Sequence, residues 1–227
     1  MFNESLLLLH LVALLSLIFL ALKLGRVYLI LVFCLQVLLS NLFVIKQIEL
    51  FSFHVTCCDV YTVGSILTLN LIQEYFGKKA AKTAVITLCF STLFFIVMSQ
   101  LHLFYIPSMH DTTATAFQTI LGISPRIMTL SIIIALSIAR LDIELFSFLK
   151  RFAFFKNRLG SRFGILTLFT QLIDTALFTF IALMPILAHP GHIMLVSYLA
   201  KVGVIISMTP ALYFFKKWVP IGRSYAN

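Results

Sequence analysis

The run GILTLFTQLIDTALFTFIALMPILA, residues 164–188, contains one ionisable side chain, Asp174. At about 1.5 Å per residue, a helix over this run reaches about 37 Å and crosses a hydrocarbon core of about 30 Å. A carboxylate near the middle of such a span is costly, so it faces the bundle interior and marks a site. These two readings, a membrane span and a polar centre within it, organise the rest of the chain.

Six further runs have span length: 5–22, 27–45, 58–76, 83–105, 127–147 and 193–215. They are separated by turn and charge signals: KLGR (23–26), GKKAAK (77–82), IPSMHDTTATAFQ (106–118), KRFAFFKNRLGSR (150–162) and HPGH (189–192). Segment 46–57 is short and mixed and reads as a re-entrant or interfacial piece. The first 22 residues carry Glu4 and no basic leader, so they read as a helix rather than a signal peptide. The chain, 1–227, is a single transmembrane domain with no soluble module.

Composition agrees. The 227 residues are 61% hydrophobic and 11% charged, with mean hydropathy +1.06. A soluble domain is about a quarter charged, and 23 Phe could not be covered by so few charges. A soluble enzyme, a disordered tail and a disulfide scaffold are excluded. The net charge of +9 follows topology rather than nucleic acid. Lys23, Arg26, Lys78, Lys79, Lys82, Lys150, Arg151, Lys156, Arg158, Arg162, Lys216, Lys217 and Arg223 fall on one face of a seven-helix plan. Lys46 and Arg126 fall on the other. Basic residues accumulate in cytoplasmic loops. The plan is therefore an all-α polytopic membrane protein of seven transmembrane helices, N-terminus out and C-terminus cytoplasmic.

The polar residues inside spans are few: Glu74, Arg140, Asp142, Glu144, Asp174 and Lys201, with Gln36, Asn41, Asn70, Gln73 and Gln171. Asp174 and Lys201 fall near the midplane on consecutive helices, and a buried pair keeps either charge from standing alone. Gln171 lies one turn from Asp174 on the same face, with Thr167 and Thr170 extending the stripe. Asn70, Gln73 and Glu74 form a second patch, and Arg140 reaches Glu144 at i, i+4. The candidate solute site is thus Asp174, Gln171, Lys201, Glu74, Asn70, Gln73 and Arg140. Three plainer readings stay open: a structural Asp174–Lys201 bridge, Glu74 at the interface just before Gly77, and Arg140, Asp142 and Glu144 as an interfacial end of their helix.

Other motifs carry less. Gly77-Lys78-Lys79 lacks the preceding glycine and following Ser or Thr of a phosphate loop, so no ATPase is built into this sequence. His189 and His192, and the set His54, Cys57, Cys58 and Asp59, have ligand chemistry but poor spacing. Cys34 and Cys89 read as small hydrophobes. No metal or cofactor is expected, and no nucleic acid is bound directly.

In order along the chain stand LSNLFVIKQIELF (39–51), LNLIQEYFGKKAAK (69–82), RLDIELFSFLK (140–150), TQLIDTALFTFIAL (170–183) and YLAKVGVIISMTPALYF (198–214). This series resembles the queuosine precursor transporter family, also called the vitamin-uptake transporter family, over 27–215. Asn70 stands where that family usually has Asp, and Gln73 where it has Thr. The resemblance implies a six-helix core, with 1–26 as an added N-terminal helix. It implies uptake of queuine or a related 7-deazaguanine across the inner membrane of a bacterium, feeding queuosine salvage into tRNA. Asp174 or Glu74 would then take the base's donors and Gln171 and Asn70 its carbonyl side, while Lys201 keeps Asp174 ionised. Two other classes stand beside this one: a substrate-binding subunit docking on a separate ATPase module, and a membrane enzyme. Oligomeric state is not legible.

Overall fold

A computed structural model describes residues 2–50, 53–56, 58–122, 125–152, 159–183 and 190–219. Cys57, Lys156, Arg158, His189 and Arg223, and the side chains of His54, Arg126 and His192, lie outside the described residues. The elements in chain order are α1 (Phe2–Leu24), α2 (Arg26–Phe43), β1 (Gln47–Leu50), β2 (Phe53–Thr56), α3 (Asp59–Leu103), α4 (Ala114–Leu121), α5 (Pro125–Leu149), α6 (Leu159–Leu177) and α7 (Pro190–Trp218). A π-helical turn, Phe178–Leu183, extends α6.

One residue separates α1 from α2. Gly25 has φ 115°, a conformation that an L side chain resists, and its N–H still donates to the Ala21 carbonyl at 3.0 Å. The two helices fold back on each other. A cleft of about 520 Å³ between them is lined by Leu24 and Tyr28 near the turn and by His10 and Leu39 far from it. Helix α2 then packs on α3 through small and polar groups. Gln36 donates to Thr68 Oγ1 at 2.9 Å, and Ser40 and Thr62 share a hydrogen bond of 2.8 Å. Gly64 makes that approach feasible, because a Cβ there would fall on Gln36 Oε1 and 2.7 Å from Leu14 Cδ2.

Segment 46–57, expected as re-entrant or interfacial, contains an antiparallel hairpin in the register Gln47↔Thr56 to Leu50↔Phe53. This hairpin is the one strand pairing among the described residues, and the other elements are helical. Four-residue strands satisfy each other's backbone groups, and the ladder is braced by α1 and α7; Asn3 Nδ2 donates to the Glu49 carbonyl at 2.9 Å.

At 45 residues, α3 measures about 68 Å, twice the length that a bilayer core requires. Gly77 breaks it, with φ 87° and ψ 169°. The limbs 59–76 and 78–103 coincide with two of the runs read from hydropathy. The GKKAAK stretch is therefore a one-residue hinge followed by helix, not a loop. Among the described residues five helices are long and apolar enough to cross a membrane: α1, α2, α3, α6 with its π turn, and α7. Helix α5, carrying Arg140, Asp142 and Glu144 close together, is not among them. This is a helical, multi-pass membrane protein.

Its exterior has the chemistry that lipid requires. Ile86, Phe90, Phe94, Phe169 and Phe180 are exposed, while Phe33, Phe146 and Phe163 fill the interior. Helix α7 carries Pro210 inside it, and the neighbouring Thr209 hydroxyl donates back to the Ile205 carbonyl at 2.8 Å.

Candidate functional site

Helices α3, α5, α6 and α7 enclose a polar column arranged in three levels. In the first, Lys201 of α7 donates to Asp174 Oδ2 at 2.8 Å and to Thr175 Oγ1 at 3.1 Å. The ammonium and carboxylate side chains are 9% and 17% exposed, so the pair is largely removed from solvent. Asp59, the first residue of α3, is buried and feels the same ammonium across the bundle. The π turn begins three residues beyond Thr175 and widens α6 immediately past this level.

The second level is the least satisfied part of the molecule. Asn70 of α3, Asp142 of α5, and Thr167, Thr170 and Gln171 of α6 are all buried. Both amide atoms of Asn70 and of Gln171, both carboxyl oxygens of Asp142 and the Thr167 hydroxyl have no hydrogen-bond partner among the described residues. Each unmatched buried polar group costs about 1–3 kcal/mol, so these groups gain from any polar partner that reaches them.

In the third level, Glu74 receives two cations. Arg162 Nη2 stands at 2.8 Å and Lys150 Nζ at 3.0 Å. Arg162 is fully buried, and its guanidinium also stacks 4.7 Å from the Phe146 ring. Gln73 donates to the Ile143 carbonyl at 2.9 Å and to Ser147 Oγ at 2.7 Å, tying α3 to α5.

The residues expected from the sequence are thus distributed unevenly. Asp174 and Lys201 form one pair, Asn70 and Gln171 share the second level, and Gln73 and Glu74 lie in the third. Arg140 is exposed rather than in the column. Its expected partner Glu144 instead meets Lys78 at 2.5 Å and Lys82 at 3.9 Å. Three site-lining residues escaped the sequence reading in their actual roles: Asp59, Asp142 and Arg162. For Asp142 a signal existed. Two helical positions correspond to about 200°, so Asp142 must face away from both Arg140 and Glu144. Arg162, which the sequence places at the end of a basic loop, lies instead in the first turn of α6.

The "Putative vitamin uptake transporter" family matches residues 59–215. The chain belongs to that family. The match starts at Asp59 and takes in all three polar levels. The chain is also 32% identical, over 186 residues and 80% of each chain, to the "Probable queuosine precursor transporter" of Bacillus subtilis (strain 168). No solved structure matches. As a member of this family the protein is a membrane transporter rather than an enzyme, and a small molecule is its cargo.

Proposed function

We propose that this vitamin-uptake-family transporter imports a 7-deazaguanine, queuine or one of its biosynthetic precursors, through the polar column, in the inner membrane of a bacterium. The supporting observation is a pair of buried amides, Asn70 and Gln171, whose amide atoms meet no hydrogen-bond partner among the described residues, beside the Asp174–Lys201 pair. A 7-deazaguanine presents a ring N–H and an exocyclic amine side by side, with a carbonyl next to them. Two amides supply both donors and acceptors to that edge, and a carboxylate accepts the paired donors. Lys201 stays paired with Asp174 until the base's donors compete for its oxygens. The third level, where Glu74 is already held by Arg162 and Lys150, closes the column toward the cytoplasm. Arg140 has no part in the site. The name of the Bacillus subtilis relative points to the same cargo.

Seven crossings are part of the proposal: α1, α2, the two limbs of α3, then α5, α6 and α7, with the N-terminus outside. Support comes from where the charges meet. Lys78 and Lys82 pair with Glu144 near the end of α5, while Lys150 and Arg162 converge on Glu74. Tyr75 donates to the Val219 carbonyl at 2.9 Å, bringing the end of α7 to the same face. Reporter fusions after residues 80, 156 and 220 should read cytoplasmic, and those after 52, 112 and 190 external. A cytoplasmic reading at 112 contradicts this topology.

The substrate reading is tested in a host that lacks queuosine synthesis and its own importer. Expression of the chain should restore queuosine in tRNA when a labelled 7-deazaguanine is fed, and unlabelled guanine should compete poorly. Asn70→Ala and Gln171→Ala should each raise the concentration needed about tenfold, equivalent to about 1.4 kcal/mol. Restoration by neither queuine nor its precursors overturns the assignment.

A further inference from the structure

A carboxyl group with nothing to pair with is the least explained feature of the interior. Asp142 is 0% exposed, and neither of its oxygens has a hydrogen-bond partner among the described residues. Asn70 of α3 and Thr170 of α6 face it. No charged side chain among the described residues faces it from either helix. Glu74, one turn along α3 from Asn70, is held by Arg162 and Lys150, and Asp174, one turn along α6 from Thr170, is held by Lys201. The π turn against α5, FTFIAL, contains no ionisable residue.

A carboxylate in that position would be an uncompensated charge inside the bundle, and such groups stay neutral. We propose that Asp142 is the proton-binding site of the transporter, and that import is driven by a proton moving with the cargo. In the closed bundle the acid is protonated. Its O–H is then a donor for Asn70 Oδ1, which leaves the Asn70 amine directed at the cargo. When the column opens to the cytoplasm, water solvates the carboxylate and takes its proton. The anion then draws the Asn70 amine to itself, and the hydrogen bond to the cargo is lost. Protonation from the external side resets the amide. One proton enters and one leaves for each molecule of cargo, with no other co-reactant.

The inference rests on the transport reading but not on the identity of the cargo, and two measurements keep the two apart. Infrared difference spectra of the purified full-length protein should show a protonated-carboxyl C=O band that shifts in D₂O. That band should disappear in Asp142→Asn. No such band, or an unchanged band in the variant, overturns the proposal. In proteoliposomes, an acid-outside gradient should drive accumulation of labelled queuine at least tenfold above equilibrium, and a protonophore should abolish it. Asp142→Asn should lose that accumulation. Asp142→Glu should recover it in part. Equal accumulation by the native protein and Asp142→Asn overturns the proposal. If queuine does not cross at all, the cargo assignment fails and the infrared band alone decides the proton site.

Discussion

With Asp174→Asn and Lys201→Met combined, the protein should reach the membrane in near-normal amount yet deliver no queuosine to tRNA. The reasoning starts from the pair itself. Lys201 and Asp174 lie 2.8 Å apart and largely out of solvent, and removing one member of a buried pair costs about 3–5 kcal/mol. Asp174→Ala alone should therefore lower both protein amount and transport, since it leaves a buried ammonium without its carboxylate. The double replacement removes both charges, so the stability cost largely disappears while the group proposed to meet the base is gone. Membrane amount and tRNA queuosine are read in the same cells. Normal queuosine with the double variant would show that Asp174 makes no contact that the cargo needs.

Arg162→Ala should be the most damaging single substitution to the amount of folded protein. Arg162 is fully buried and Glu74 is 4% exposed, whereas the other cation, Lys150, is 48% exposed and screened by solvent. Without the guanidinium, Glu74 keeps one weak partner, and the stacking on Phe146 is lost. The expected loss is again about 3–5 kcal/mol, a large part of a marginal fold's reserve of about 5–15 kcal/mol. Fluorescence size-exclusion of a tagged protein checks this. Glu74→Gln combined with Arg162→Met should recover the monodisperse peak, because the one charge left, Lys150, is half exposed and solvated. Equal peaks for native protein and Arg162→Ala would mean that the level is not held by this pair.

The helical plan was legible because hydropathy over a span is a sum of many small terms, and no single residue decides it. The break at Gly77 was legible for the same reason, with three lysines following within five residues. The hairpin at 47–56 was not, because two four-residue strands carry no periodicity that survives beside apolar neighbours; contacts with α1 and α7 hold it. In the site, Asp174 and Lys201 could be paired from sequence because each stands alone in an apolar run on adjacent helices. Asp142 stands between Arg140 and Glu144, and its neighbours disguised it as part of an interfacial charge cluster. Only the burial of one face and the exposure of the other separate the three. Asp59 was obscured similarly by Cys57 and Cys58, and its approach to Lys201 depends on how α3 and α7 pack, which no local pattern encodes.

The central claim is that this chain by itself moves a 7-deazaguanine through the column between α3, α5, α6 and α7. The most direct measurement is counterflow in proteoliposomes that contain only this purified protein, preloaded with unlabelled queuine and diluted into a trace of labelled queuine. The account predicts a transient, saturable entry of label that unlabelled 7-deazaguanines suppress and that needs no ATP. No entry above protein-free liposomes, with entry appearing only when an ATPase module is supplied, would contradict it.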